Sequence, residues 1–123
     1  MDAQRFFPVS YDATHDFKIR RMMKAGGGII AYGRWVALLG MLYDEHGFLD
    51  MNEPVTRSVV AEELEIDEPS EFLSILAGVG LIDRELYESS NHVLSAGVCE
   101  QLEFQRMKSE AGKKGGRPKK PPA

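Results

Sequence analysis

Residues 54–86 determine the fold prediction, and they read PVTRSVVAEELEIDEPSEFLSILAGVGLIDREL. The first part predicts a helix whose apolar residues recur near helical spacing: Val55, Val59, Val60 and Leu64. Asp67 is suited to cap a second helix, because its carboxylate can accept hydrogen bonds from the free amides of the first turn. The second helix has one apolar stripe at i, i+3, i+4 and i+7, formed by Phe72, Ile75, Leu76 and Val79. Gly78 and Gly80 predict its end.

A β-hairpin is expected after the two helices. Its predicted strands are Leu81–Tyr87 and His92–Leu94, joined by turn-forming residues, and Phe48-Leu49 could add a further short strand. Helix, short turn, helix and hairpin is the outline of a winged helix-turn-helix. The sequence therefore predicts a mainly α fold with a small β-wing. A different small α+β domain that contains a helical hairpin is the alternative.

Further helices are predicted on either side of this stretch. Asp16 can cap a helix that runs through Lys24, and three of the nearby apolar residues are available for the core, namely Phe17, Met22 and Met23. A strongly apolar helix over residues 30–44 should be the most buried, with a core stripe of Trp35, Leu38, Leu39 and Leu42. Ser95 can cap a last helix. Residues 1–106 then form the domain, and residues 107–123 form a basic tail predicted to be disordered, because it lacks apolar residues to bury.

Composition excludes several classes of protein. At 123 residues the chain is long enough for one domain with a single core. One cysteine excludes an internal disulfide framework and is typical of the reducing cytoplasm. No apolar run reaches the roughly 18 residues that a membrane span requires. Residues 35–105 contain two basic and fifteen acidic residues, whereas the chain from Arg106 onward contains seven basic residues and one acidic residue. Such asymmetry indicates a polyanionic partner.

The residues that catalysis or metal binding would use are not spaced for either purpose. The histidines at 15, 46 and 92 are far apart in the sequence and have no ligand spacing with Cys99. Residues 28–33 have the glycine spacing of a phosphate-binding loop but lack its Lys and its Ser or Thr. We therefore expect a protein that is not an enzyme and that holds neither a metal nor a cofactor.

Basic residues near both ends of the chain are the candidate DNA contacts. On the first helix they are Lys18, Arg21 and Lys24, which form a broad basic face together with Arg20; an ordinary solvated face is the alternative. In the tail they are Lys113, Lys114, Arg117, Lys119 and Lys120. The Gly-Arg-Pro sequence at 116–118 resembles the AT-hook, in which an extended chain enters a narrow A·T minor groove. A generic polybasic linker that binds any phosphate backbone is the alternative.

The second helix of the helix-turn-helix offers weaker candidates. Ser70 and Ser74 lie on the face opposite the apolar stripe and could contact DNA. Proteins that read DNA with this helix usually present Arg, Lys, Asn or Gln there. Glu68 and Glu71 flank the two serines, and their carboxylates repel phosphate. Reading of a DNA sequence by this helix is therefore not expected.

A combination of short motifs resembles one protein family. The motifs are Phe7-Pro8, Asp12, Asp16-x-Lys18-Ile19, Tyr32-Gly33-x-Trp35-x-Ala37-Leu38-Leu39-x-Met41-Leu42, Gly80-Leu81-Ile82 and Ala111-Gly112-Lys113-Lys114-Gly115-Gly116-Arg117-Pro118. Together they resemble the N-terminal winged-helix domain of phage replisome organisers, which is related to the DnaD-like primosomal proteins of bacteria. The resemblance implies a DNA-binding, self-associating module for replication initiation. In that family a helicase-loading domain usually follows.

The leading interpretation is a winged-helix module that binds DNA, forms a homo-oligomer and acts in the cytoplasm without a membrane partner. A second interpretation is a protein–protein interaction module, whose acidic surface docks a basic partner such as a helicase or a helicase loader. A transcriptional repressor with the same fold is the third.

Overall fold

The computed structural model describes residues 13–115, and their side chains through Ser109. After a 3-10 turn at Ala13–His15, this part of the chain forms helices α1 (Phe17–Gly26) and α2 (Ile29–Asp44), strand β1 (Phe48–Asp50), helices α3 (Pro54–Leu64), α4 (Ser70–Val79) and α5 (Arg84–Ser90), strand β2 (His92–Leu94) and helix α6 (Ala96–Gly115). The fold is mainly helical with a small two-stranded sheet, as predicted, and it is compatible with a winged helix-turn-helix.

The core is built around α2, whose predicted stripe is buried at three of its four residues and partly buried at Leu39. Trp35 has 6% of its surface exposed, and Leu38 and Leu42 are fully buried. The neighbouring elements complete this core with Ile19, Met22, Phe72, Leu73, Leu76 and Val93. Helix α1 packs against both α2 and α4, so one of its sides is buried and the other faces solvent.

The junction between α1 and α2 is a sharp bend at two glycines. Gly27 and Gly28 have φ angles of 110° and 78°, which L side chains rarely adopt.

Within residues 13–115 no single helix is both long and apolar enough to cross a membrane. Helices α1 and α2 meet that criterion only jointly, and they are bent by 116° at their junction.

The sheet differs from the predicted hairpin. Strand β2 pairs in antiparallel register with β1, and Leu49 lies opposite Val93. The prediction of a short strand at Phe48-Leu49 is confirmed, but the predicted strand Leu81–Tyr87 is wrong. Residues Arg84–Ser90 of that region form helix α5 instead.

Local interactions explain why this segment is helical. Asp83 caps α5 by accepting a hydrogen bond from the amide of Leu86 at 2.8 Å. One turn later, Arg84 and Glu88 form an i, i+4 ion pair at 3.1 Å. Asn91 then takes the left-handed conformation, with a φ of 60°, and ends the helix.

Helices α3 and α4 lie where the helix-turn-helix is predicted, but two details are corrected. Val60 and Leu64 are buried, whereas Val55 and Val59 are 65% and 45% exposed. The expected stripe is thus too wide, because α3 buries a narrow stripe against α2. Asp67 does not cap α4, which begins only at Ser70. Proline disfavours helical backbone at the residue before it, so Pro69 prevents an earlier start.

Helix α6 begins where predicted and continues further than predicted. The Ser95 hydroxyl accepts a hydrogen bond from the amide of Val98 at 3.2 Å, which confirms Ser95 as the cap. The helix extends to Gly115 and so includes residues 107–115 of the predicted tail. Residues 116–123 lie outside the described part of the chain.

Candidate nucleic-acid interface

Helix α1 has a basic exposed side. The helix begins at Phe17 because the Asp16 carboxylate accepts hydrogen bonds from the amides of Lys18 and Ile19, at 2.9 and 3.3 Å. Ile19 and Met22 lie on the buried side. The exposed side carries residues at i, i+3, i+4 and i+7: Phe17, Arg20, Arg21 and Lys24. The helix itself contains no acidic residue.

A cleft of about 490 Å³ lies along this exposed side, and we call it the basic cleft. Its described lining consists of Thr14, His15, Phe17, Arg20, Arg21, Met23, Lys24 and Gly28. Both arginines and the lysine are cationic at neutral pH, and acidic residues are absent from this described lining. Neither Arg20 nor Lys24 forms an ion pair with any side chain among residues 13–109. The cleft is therefore electrostatically suited to an anion.

Phe17 is the aromatic residue of the basic cleft. Its side chain is 72% exposed, so its predicted place in the core is wrong. The central carbon of the Arg21 guanidinium lies 5.4 Å from the centroid of the Phe17 ring, a cation–π distance. The spacing of Phe17 to Arg21 is i, i+4, and this signal already places both residues on one side of the helix. The predicted DNA contacts did not include Phe17, although this spacing could have identified it, and they did not include Arg20, although Arg20 was assigned to the same basic face.

Lys18 lies apart from Arg21 and Lys24, with which it was predicted to act. A Cβ atom added to Gly80 would be 3.7 Å from Lys18 Cε, so the lysine crosses toward the end of α4. There it lines a second cleft, of about 720 Å³, together with Asp16 and Asp83. The two carboxylates offset the charge of Lys18. The structure thus groups Arg21 and Lys24 with Arg20, and it places Lys18 in a mixed-charge environment.

Of the two candidate serines of α4, Ser70 is hydrogen-bonded within the domain. The Ser70 hydroxyl donates to Glu68 Oε2 at 2.6 Å, and the Ser70 amide donates to the same oxygen at 3.1 Å. These hydrogen bonds, with a further contribution from Arg57, hold the pKa of Glu68 below its ordinary value. Ser74 is exposed, and the Tyr87 hydroxyl donates a hydrogen bond to the Ser70 carbonyl oxygen at 3.3 Å. Helix α4 contains no basic residue, so its surface offers phosphate no charge complement.

The predicted tail contacts are described only in part. Lys113 and Lys114 belong to the backbone of α6, which extends to Gly115. Arg117, Lys119 and Lys120 lie outside the described residues. The structure therefore adds a helical connection from the domain to the first two tail lysines.

Helix α3 presents a surface of the opposite character. Val55 and Val59 are 65% and 45% exposed, and Glu62 and Glu63 follow them on the exposed part of the helix. An apolar pair beside two carboxylates is unsuited to DNA. It is suited to a protein segment that combines basic and apolar residues.

The remaining reactive side chains are dispersed. Within residues 13–109, no group of three or more His, Cys, Asp or Glu side chains is placed to hold a metal ion. Cys99 packs against Gly47, where an added Cβ would lie 2.7 Å from the sulfur. Gly47 also has a φ of 89°. Close packing and a left-handed backbone therefore both favour glycine at this position.

These features define a small, mainly helical domain that has a two-stranded antiparallel sheet and a basic helix on its surface. The chain belongs to the Lin1244/Lin1753-like N-terminal domain family, whose model matches residues 6–98. That range includes every described residue that lines the basic cleft, and it ends inside α6. A search of curated proteins found no match, and a search of solved structures also found none.

Proposed function

We propose that this domain is a non-enzymatic DNA-binding module of a phage-type replication initiation protein. The observation that supports DNA binding is the grouping of Arg20, Arg21 and Lys24 along one cleft whose described lining lacks acidic residues. The role in replication initiation comes from the sequence resemblance to phage replisome organisers. Such a module works in the cytoplasm, where its DNA is located.

The distribution of charge limits where DNA can bind. Residues 35–105 contain two basic and fifteen acidic residues, so this part of the chain has a net charge of 2 − 15 = −13. DNA phosphates are repelled by such a surface, and at physiological salt this repulsion acts over about 8 Å. The basic cleft and the basic tail are the regions that attract phosphate. We therefore assign the main contacts to Arg21 and Lys24 with Arg20, and to the five tail cations Lys113, Lys114, Arg117, Lys119 and Lys120.

The other predicted contacts have smaller roles. Lys18 shares its cleft with two carboxylates, and it can reach a phosphate only at the margin of the interface. Ser70 is already a donor to Glu68, and Ser74 is close to the exposed Glu71. A module with these contacts binds the DNA backbone and reads few bases, because phosphate contacts position a protein without specifying sequence.

Fluorescence anisotropy with a labelled DNA duplex tests this proposal. The variant combines Arg20→Gln, Arg21→Gln and Lys24→Gln, and it should bind about tenfold or more weakly, because three phosphate contacts are lost. Arg84→Gln is the matched control, since Arg84 is exposed on α5 and paired with Glu88. Its affinity should equal that of the wild type. Equal affinity of the triple variant would refute DNA binding by α1.

A second candidate function is protein–protein interaction through α3. The specific observation is the exposed pair Val55 and Val59, one helical turn apart, beside Glu62 and Glu63. This surface could form a homo-oligomer or dock a basic segment of a helicase or helicase loader. Sedimentation of the Val55→Ser, Val59→Ser variant tests self-association: a shift from oligomer to monomer supports it, and an unchanged mass excludes α3 as the contact.

Selection of bound duplexes from a random pool distinguishes this module from a transcriptional repressor with the same fold. A repressor selects a defined operator from random duplexes. A backbone-binding replication module enriches at most a preference for A·T-rich sequence, through the AT-hook-like segment of the tail.

A further inference from the structure

The exposed aromatic ring in the basic cleft is not explained by backbone binding alone. Phe17 is 72% exposed, although Ile19 and Met22 on the same helix are buried. Phosphate recognition requires only the charges of the arginines and the lysine. A ring surrounded by cations is instead the arrangement with which proteins hold unpaired bases, since bases stack on the ring while the cations bind the backbone.

The arrangement of Phe17 and Arg21 supports this use. The guanidinium of Arg21 lies 5.4 Å from the ring centroid, and this contact holds the two side chains together. Most of the ring surface remains open to solvent. Arg20 and Lys24 line the same cleft about one and two turns further along the helix from Phe17, so phosphates adjacent to a stacked base have cationic partners.

We propose that the basic cleft binds single-stranded DNA, with an unpaired base stacked on Phe17 and the adjacent phosphates on Arg20, Arg21 and Lys24. The inference rests on the proposed DNA-binding function and specifies its ligand. In a duplex both faces of every interior base are covered by its neighbours, so Phe17 adds affinity only for unpaired bases. The cleft, of about 490 Å³, lacks acidic residues in its described lining, so nothing in that lining repels the phosphates of the strand.

The test compares binding of a labelled oligothymidine and of a labelled duplex under the same salt conditions. Phe17→Leu removes the aromatic ring and keeps an apolar side chain at an exposed position, so the fold is unaffected. It should weaken binding of oligothymidine about tenfold and change duplex binding by less than about twofold. Phe17→Trp should restore the single-strand affinity, because tryptophan also stacks on bases.

The chain offers a matched control in Phe104, which is 59% exposed on α6. Phe104→Leu makes the same chemical change outside the cleft and should alter neither affinity. Equal losses for both ligands in Phe17→Leu, or no loss for either, would overturn the single-strand assignment.

The results that would refute the proposed DNA-binding function differ from those that would refute stacking on Phe17. If Phe17→Leu has no selective effect but the triple charge variant weakens both ligands, DNA binding stands and the stacking assignment is wrong. If the wild-type protein binds neither ligand, both proposals are wrong.

Discussion

Arg57 and Glu68 connect the two helices of the helix-turn-helix through one side-chain pair. Nη2 of Arg57 donates to both carboxylate oxygens of Glu68, at 2.9 and 2.7 Å. Nη1 of Arg57 also donates to the Met51 carbonyl oxygen at 3.5 Å. Glu68 in turn accepts the amide and hydroxyl hydrogen bonds of Ser70 at the start of α4. One acidic residue thus links α3 to the first turn of α4.

This link predicts a pH-dependent effect of Glu68→Gln. The pKa of Glu68 is lowered in the folded state, chiefly by the hydrogen bonds from Ser70. The ionised Glu68 carboxylate therefore contributes its full stabilisation of the folded state above the ordinary pKa of 4.5. This stabilisation is lost as the pH falls through the lower pKa of the folded state. At pH 7 the wild-type protein should have a higher melting temperature than Glu68→Gln. The difference between the two melting temperatures should shrink below about pH 4.5. A difference that is the same at all pH values would contradict the link.

Trp35→Ala tests the assignment of α2 as the central helix. Trp35 is 6% exposed, and its removal should lower the free energy of unfolding by about 3–5 kcal/mol. Domains of this size are stable by about 5–15 kcal/mol, so the variant should be largely unfolded or unfold at much lower urea concentration. Trp35→Phe retains most of the volume and should lose much less. Wild-type stability of Trp35→Ala in urea denaturation would place the side chain outside the core.

The comparison of Asp83 with Asp67 shows which parts of the fold were predictable. The caps at Asp16 and Ser95 were predicted correctly, because a cap depends on residues within one turn of it. The predicted cap at Asp67 was wrong because Pro69 delays the start of α4, and Asp83 was assigned to a strand although it caps α5. The predicted wing was wrong because strand pairing depends on distant segments: β2 pairs with β1, which precedes it by more than forty residues in the sequence (48 to 92). Without that pairing, the apolar residues at both ends of Leu81–Tyr87 and the turn-forming residues that follow favour a hairpin.

The positive charge of the candidate site could be predicted from the sequence, but which of its residues lie together could not. The basic residues of α1 were evident from the sequence. The separation of Lys18 from Arg21 depends on how α1 is rotated against α2 and α4, and that rotation is set by tertiary packing. The same rotation exposes Phe17, which composition alone assigns to the core. On α3, the narrow contact with α2 similarly leaves Val55 and Val59 exposed.

Asp83→Ala tests the helix that replaces the predicted strand. Loss of the hydrogen bond to the Leu86 amide should lower the free energy of unfolding by about 1 kcal/mol, the usual value for an N-cap. Asp67→Ala is the matched control, because α4 begins at Ser70 and Asp67 does not cap it. Urea denaturation should show a loss for Asp83→Ala alone. A larger loss for Asp67→Ala would restore the cap that the sequence predicted.

Ser74→Glu tests whether α4 faces DNA. The helix contains no basic residue, and Glu71 is already exposed beside Ser74. An additional charge should therefore change duplex affinity by less than about twofold. Arg21→Glu reverses a charge in the basic cleft and should weaken binding by more than about tenfold. A tenfold loss in Ser74→Glu would show that α4 contacts DNA.

The salt dependence of duplex binding tests whether the basic cleft and the tail are the phosphate-binding regions. Each neutralised phosphate contributes roughly −0.9 to the slope of log affinity against log salt, so five tail cations contribute about −4.5 and three cleft cations about −2.7. The account predicts that changing Arg20, Arg21 and Lys24 to Gln makes the slope shallower by about 2.7, and that changing the five tail residues makes it shallower by about 4.5. A cleft variant with the wild-type slope and affinity would contradict the account, because binding would then reside in the tail alone.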